Sequence, residues 1–242
     1  MFNFKPYFFE IVQNTNKEIK KIWDNSKKYP AISLFSKKQQ NGKGRGKKIW
    51  LSTCGDLTCS FLISKKLQVT NVGRISITAG LSVYEGLQNV YPNIPFKIKW
   101  PNDIYLNKKK LGGILIESSI NKYSVEYFII GIGINIVTSP KQLTYETIKI
   151  SDFSKIIDPK LIFFSLEKSI STNFKLLFNK KFNFIKHRWL KKSINYGKNI
   201  TIKKDNKVIH GKFLSLDDYG SIIMENNEKK KVTITQGELS SE

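Results

Sequence analysis

The sequence predicts an α/β protein in which a mixed β-sheet is flanked by helices and followed by a small β barrel. Two observations carry this expectation. Up to residue 195, short apolar runs bounded by turn residues alternate with longer stretches whose apolar residues recur at helical spacing. From Tyr196-Gly197 onward the texture changes to short alternating segments separated by polar turns. A chain of 242 residues has room for one large domain and a small module, expected at 1–195 and 196–242.

Residues 7–12 form the first strand-like run. Asn14 or Thr15 is suited to cap a helix over 17–23, with Glu18 in its first turn. A strand over 31–35 precedes Gln39-Gln40-Asn41-Gly42-Lys43-Gly44-Arg45-Gly46-Lys47-Lys48-Ile49-Trp50. Glycines alternating with cations make a flexible loop rich in backbone N–H groups and positive charge, which suits an anionic ligand. A nucleic-acid-binding loop would look similar. It is not a Walker A loop, because the Gly-Lys-Ser/Thr ending is missing, and it leads into Trp-Leu-Ser rather than a dinucleotide-binding helix.

A buried strand over 57–64 and a helix over 71–88 follow; Ile75, Ile77, Ala79, Leu81, Val83 and Leu87 are among the helix's apolar positions. Residues 99–117 read as a hairpin. Ile104-Tyr105-Leu106 is its first apolar run, Asn107-Lys108-Lys109 the turn, and residues 111–116 the return. Gly112 and Gly113 lie inside the return run, where paired glycines point to close approach of a ligand or another backbone. Residues 127–136 read as a core strand, with a glycine bulge expected around Gly131 and Gly133. Pro159 is placed to start a helix reaching 178, and a second helix covers 182–193, with Trp189 and Phe184 expected in the core. Strands are expected at 200–202, 208–216, 221–224 and 231–235, with turns at 204–206, 217–220 and 226–227.

Composition excludes several classes. No apolar run approaches the ~18 residues of a membrane span, and the N-terminus shows no signal-peptide pattern, so a cytoplasmic protein without a membrane partner is expected. Cys54 and Cys59 lack the second ligand pair of a zinc site. The net charge of +22 is carried mostly by scattered lysine, while arginine is scarce. Nucleic-acid patches favour clustered arginine, so the charge reads as a solvated face.

The stretch Lys99-Trp100-Pro101-Asn102-Asp103, a short turn, and Lys110-Leu111-Gly112-Gly113-Ile114-Leu115 with its closing Glu117 resembles the central motif of biotin protein ligases. That resemblance extends over almost the whole chain. Asn14-Thr15-Asn16 falls where the family carries Ser-Thr-Asn, whose polar groups bind the ureido ring of biotin; Asn14 replaces the serine. Gln39, Gly42, Gly44, Arg45 and Trp50 fall on the family's biotin- and adenylate-binding loop, with Lys43 in place of an arginine and Gly46 one residue early. Gly131 to Asn135 matches a Gly-x-Gly-Ile-Asn run near the adenylate, and the C-terminal segment resembles the family's SH3-like domain.

The resemblance implies a class II synthetase-like fold and a two-step reaction. ATP and biotin give biotinyl-5'-adenylate and pyrophosphate; the adenylate then biotinylates one lysine of a biotin carboxyl carrier protein of acetyl-CoA carboxylase. It also implies Lys110, Asp103 and Arg45 as catalytic residues. Asn14, Thr15, Asn16, Gln39, Gly42, Lys43, Gly44, Trp50, Gly113 and Asn135 are implied around biotin and adenylate, and Asp103 as a site for the Mg²⁺ of ATP. The helix-turn-helix domain of bifunctional members is not expected, so no sequence-specific nucleic-acid partner is; a homodimer is compatible. The alternatives are a lipoate or octanoate protein ligase, and a basic nucleic-acid-binding protein.

Overall fold

The computed structural model describes residues 2–46, 48–141, 145–204 and 207–240. The chain runs β1 (Lys5–Val12), α1 (Thr15–Ser26), β2 (Ala31–Gln39), β3 (Gly42–Lys43), β4 (Ile49–Trp50), β5 (Leu57–Ile63), β6 (Leu67–Gln68) and α2 (Val72–Val90). It continues through β7 (Lys97–Lys99), β8 (Asp103–Leu106), β9 (Lys109–Asn121), β10 (Ser124–Ile134), α3 (Pro159–Phe178) and α4 (Phe182–Lys192). The last elements are β11 (Asn199–Lys204), β12 (Lys207–Leu216), β13 (Ile222–Asn226), β14 (Lys231–Ile234) and β15 (Glu238–Ser240).

The main sheet has the order β1-β2-β5-β10-β9-β8-β7, with β6 added to β10. The pair β1/β2 is parallel and the others along this order are antiparallel, so the sheet is mixed as expected. The parallel pair is joined through α1, which packs against β2, β5 and β10 on one face. There Ile19 meets Ile32, Leu34, Leu62, Tyr127 and Ile129. Helices α2 and α3 cover the opposite face, and α4 packs on both. With both faces covered, every residue of β5 is buried, which explains its continuous Leu-Thr-Cys-Ser-Phe-Leu-Ile run.

Local chemistry accounts for the element ends. Asn14 caps α1, its side chain accepting from the Lys17 amide at 3.0 Å. Asp158 caps α3 just ahead of Pro159. Asn107 and Lys108 both have positive φ, 49° and 63°, and make the two-residue turn between β8 and β9.

Several expectations are corrected. The register irregularity of β10 lies between Val125 and Tyr127, and Gly131 and Gly133 pair regularly with Leu115 and Gly113. Phe184 is exposed, with the Arg188 guanidinium 5.0 Å from its ring centre, whereas Trp189 is fully buried. The glycine-rich loop contains a short ribbon, Gly42 opposite Trp50 and Lys43 opposite Ile49. The C-terminal sheet has five strands in the order β14-β13-β12-β11-β15, β15 being additional to the four expected. Asp205 and Asn206 of the expected 204–206 turn lie outside the described residues.

The C-terminal sheet seats on the N-terminal end of α2. A Cβ at Gly73 would lie 2.2 Å from the Tyr219 carbonyl oxygen, so only glycine permits this approach. The Trp100 indole N–H donates to the Gly220 carbonyl at 3.3 Å, which ties the central hairpin to the C-terminal sheet.

Asp56, 2 % exposed, fastens the segment after the loop to the end of β10. Its Oδ1 accepts from the amides of Ile136, Val137 and Thr138 at 2.8, 3.0 and 3.1 Å. Asp56→Ala leaves these donors without their acceptor; the Ile136 amide is the buried one, so the change should cost about 1–3 kcal/mol, the cost of one unsatisfied buried group. Urea denaturation measures this; a loss below about 1 kcal/mol would show the tether to be dispensable.

Candidate active site

A cavity of about 480 Å³ opens on the α1 face of the sheet. Its walls are the start of α1, the glycine-rich loop, the central hairpin, the strand β10, residues 145–146 and, from the C-terminal sheet, Gly237 and Leu239. Asn14, Thr15, Asn16, Gln39, Lys43, Gly44, Arg45, Trp50, Asp103, Lys110 and Gly113 line it. Gly42 and Asn135 do not. A Cβ at Gly42 would lie 2.3 Å from the Trp50 carbonyl oxygen, so this glycine serves the β3–β4 ribbon. Asn135 is 2 % exposed, and its side-chain amide donates to the Ile148 carbonyl at 3.2 Å.

The floor is a row of residues directly opposed across strands. Gly133 on β10 pairs with Gly113 on β9, Gly113 with Asp103 on β8, and Asp103 with Lys99 on β7. Opposed residues share a sheet face. Three inter-strand steps of about 4.8 Å make this row roughly 14 Å long.

Lys110 and Gly113 are three residues apart, so in a regular strand they would point to opposite faces. The pairing of β8 with β9 shifts between Ile104 and Tyr105: Ile104 opposes Gly112, but Tyr105 opposes Lys110. Leu111 is the extra residue, and this bulge returns Lys110 to the cavity face. There its ammonium reaches Asp103 Oδ1 at 2.8 Å, with the two side chains 15 % and 22 % exposed. The Tyr145 ring centre lies 5.0 Å from the same ammonium. Residues 146–148 hold the bulge from the other edge: the Lys110 amide donates to the Glu146 carbonyl at 2.9 Å, and Ile148 donates to the Lys110 carbonyl at 3.1 Å. Asn102 locks its side, its amide side chain donating to the Ile114 carbonyl at 2.6 Å while accepting at its own carbonyl from the Ile114 amide at 2.9 Å.

At the other end of the cavity Asn16 is held on both sides. Its Oδ1 accepts from Ser60 at 2.6 Å and its Nδ2 donates to Glu117 at 2.7 Å. The room it occupies exists because residue 131 is glycine, whose Cβ would lie 2.3 Å from Asn16 Oδ1. Trp50 uses Gly133 likewise: a Cβ there would lie 2.3 Å from the indole Nε1. Gln39 Oε1 accepts from the Thr15 amide and hydroxyl at 3.4 and 3.5 Å, tying the loop to the start of α1. Arg45 is exposed in a tight turn in which Gly44 donates to the Lys48 carbonyl at 2.8 Å and Gly46 has φ 62°. Lys47 lies outside the described residues.

Sequence reasoning gave no site role to Lys99, Tyr105, Tyr145 and Glu146, which also line the cavity. Lys99 and Tyr105 were within reach of it, since Tyr105 is two residues from Asp103 on the same strand and so shares its face. The approach of residues 145–146 and of the C-terminal sheet has no local signature.

Residues 8–135 match the biotin/lipoate A/B protein ligase family. The chain belongs to this family. Among its relatives in the family are the bifunctional ligase/repressor BirA of Bacillus subtilis, 27% identical over 91% of this chain and 69% of the relative, and the biotin–[acetyl-CoA-carboxylase] ligase of Paracoccus denitrificans, 27% identical over 79% and 82%. The biotin protein ligase of Aquifex aeolicus, solved in complex with biotin and ATP, superposes with a TM-score of 0.79 at 28% identity, covering 98% of this chain and 97% of that one. The expectation of a biotin protein ligase agrees with these comparisons, and so does the fold class. Among the described residues no helix is long and apolar enough to cross a membrane.

For this ligase fold the glycine contacts give a direct test. Gly133→Ala displaces the Trp50 indole and should weaken biotin binding at least ~10-fold with little loss of stability, the scale of one lost packing contact of about 1.4 kcal/mol. Calorimetric titration with biotin and thermal melting check both; unchanged affinity would mean that Trp50 plays no part in closing the cavity.

Proposed function

We propose that this chain is a biotin–[acetyl-CoA-carboxylase] ligase that activates biotin as biotinyl-5'-adenylate and transfers it to a lysine of a biotin carboxyl carrier protein. The observation that carries the reading is the order of chemistry across the cavity floor. Amide and hydroxyl groups of Asn14, Thr15 and Asn16 stand at one end, the Gly133–Gly113 strip under Trp50 in the middle, and the Lys110–Asp103 pair beyond it. A ligand with a ureido head, an apolar ring and chain, and a carboxylate matches that order. Asn14, Thr15 and Asn16 already have partners within the chain, but their amide and hydroxyl groups have further hydrogen-bonding capacity, which a ureido group can use and which lipoate and octanoate, lacking one, cannot.

Activation brings two anions together, the biotin carboxylate and the α-phosphate of ATP. Cations and N–H donors aimed at that point offset their repulsion and the charge that builds at phosphorus. Lys110 is the cation held in place for this, because Asp103, Tyr145 and the bulge leave its ammonium little freedom. Arg45 and Lys43 reach the site from the loop and come to bear when it closes, which also keeps water from the mixed anhydride. Asp103 gives one oxygen to Lys110, and its other oxygen suits the Mg²⁺ that ATP brings, since magnesium is commonly held by one carboxylate together with substrate phosphates. In the transfer step the proton of the incoming lysine goes to Asp103 or to a phosphate oxygen of the adenylate.

The reading is tested by supplying ATP with biotin, lipoate or octanoate and measuring acyl-adenylate and pyrophosphate. Product with biotin alone is expected; product with lipoate or octanoate alone would overturn it.

Lys110→Ala and Lys110→Gln should each slow adenylate formation at least ~10²-fold, the scale on which a preorganised electrostatic donor acts. Single-turnover assays of folded protein check this, and near-wild-type rates in both would reduce Lys110 to a structural partner of Asp103.

Arg45→Gly should retain part of the activation while letting the intermediate escape. Free biotinyl-adenylate acylates exposed lysines without selection. Incubation with biotin, ATP and an unrelated lysine-rich protein should therefore label that protein only with the variant. A variant that releases adenylate yet labels no bystander would contradict the closing role of Arg45.

A further inference from the structure

Lys99 is the most deeply buried cation facing the cavity, 8 % exposed. Among the described residues it forms no ion pair with a carboxylate. Its ammonium has a hydrogen bond to the Tyr105 hydroxyl at 3.3 Å and lies 4.9 Å from the Tyr105 ring centre. An ammonium carries three N–H donors, so one phenol oxygen and one ring face leave it under-satisfied. Buried charges of this kind are normally paired. The neighbouring carboxylate, Asp103, is already engaged by Lys110 at 2.8 Å. Two cations and one carboxylate thus leave one positive charge uncompensated at the β7–β8 end of the cavity.

The position of that charge identifies its partner. Along the cross-strand row, Lys99 lies one strand beyond Asp103 on the side away from Gly113 and Gly133. In an in-line displacement the leaving group departs opposite the attacking oxygen, so a carboxylate arriving from the Gly133–Gly113 side puts the β- and γ-phosphates of ATP on the Lys99 side of the row. We propose that Lys99, held by the Tyr105 hydroxyl, is a further catalytic residue whose ammonium receives the pyrophosphate end of ATP, the leaving group of the activation step. This rests on the biotin-activation reading given above. A carboxylate oxygen of biotin bonds to the α-phosphorus, the bond from that phosphorus to the bridging oxygen breaks, and its electron pair leaves with pyrophosphate. No proton moves in this step. The charge gained by the bridging oxygen is what Lys99 meets, while Lys110 serves the attacking side.

The burial that makes Lys99 available has a second consequence. It lowers the ammonium's pKa, with Lys110 acting in the same direction and Asp103 opposing both. An arriving polyphosphate favours the charged form, so binding and protonation support each other.

The test uses Lys99→Met, which keeps the volume and apolar stem without the charge, beside Lys99→Arg, which keeps the charge. Inorganic pyrophosphate with Mg²⁺ is titrated into each folded protein without biotin; Lys99→Met should bind it at least ~10-fold more weakly than wild type and Lys99→Arg should recover much of the loss. ATP-dependent adenylate formation should fall at least ~10²-fold in Lys99→Met, while transfer from pre-formed biotinyl-adenylate to the carrier, which involves no pyrophosphate, stays within about two-fold. If Lys99→Met does not fold, Tyr105→Phe serves in its place, because it removes the hydroxyl that holds the ammonium; its pyrophosphate binding should weaken several-fold. Wild-type pyrophosphate affinity in the variant, or equal loss of both half-reactions, would overturn the assignment. A wild-type protein that makes no adenylate from biotin would instead overturn the biotin reading, and the pyrophosphate titration would still decide the role of Lys99.

Discussion

The bulge at Leu111 and the ion pair it creates are what the rest of the site depends on. One extra residue between Gly112 and Lys110 changes which face of β9 the lysine occupies, and places its ammonium 2.8 Å from Asp103. Without the bulge, the cation would point toward the helices on the other face, where an unpaired ammonium is costly. The surrounding structure protects this irregularity. Asn102 bonds to Ile114 on one side, and residues 146–148 pair with Lys110 on the other. The inserted residue itself is tied in through its carbonyl, which accepts from the Asn135 amide at 2.9 Å. A rigid strand, rather than a mobile loop, therefore carries the charged pair.

Glycine has the complementary part. Gly131 and Gly133 do not bend β10; they remove side chains so that Asn16 and Trp50 can lie against the strand. The same strand must serve as core on its helix side and as floor on its cavity side. Alternating Ile130, Ile132 and Ile134 with glycine satisfies both demands, since adjacent residues point to opposite faces. Gly73 applies the same principle at the contact with Tyr219, where backbone meets backbone and the C-terminal sheet is brought close enough for Gly237 and Leu239 to reach the cavity.

Charge in this protein has two distinct forms. Most of the +22 is spread over exposed lysines, where each ammonium is hydrated and screened within about 10 Å. Lys99 and Lys110 are of the other form, buried or nearly so and held at stated atoms. A buried ammonium interacts far more strongly with an incoming anion than a solvated one does, because the medium around it is less polarisable. Total charge is therefore a poor guide to function here: of forty-one cationic side chains, Lys99 and Lys110 are the ones that, among the described residues, line the cavity in buried or nearly buried positions.

By itself the sequence determined the family, through the Lys99–Glu117 stretch and the glycine-rich loop, and the order of most elements, through period and turn chemistry. The Asn14 cap, the Asn107-Lys108 turn and the all-buried β5 are local or one-dimensional properties, and such properties are legible in a string of residues. Tertiary structure alone decided which side chains share a face. The face of Lys110 followed only from its register with Tyr105, and the glycines of β10 looked like a bulge until Asn16 and Trp50 were seen lying on them. Gly42 and Asn135 follow the motif yet serve the backbone around the cavity, while Lys99 and Tyr105, read in the sequence only as parts of the motif and of an apolar run, line it. The physical reason is that parity along a strand reverses with a single inserted residue, and cross-strand register is set by contacts far apart in the chain.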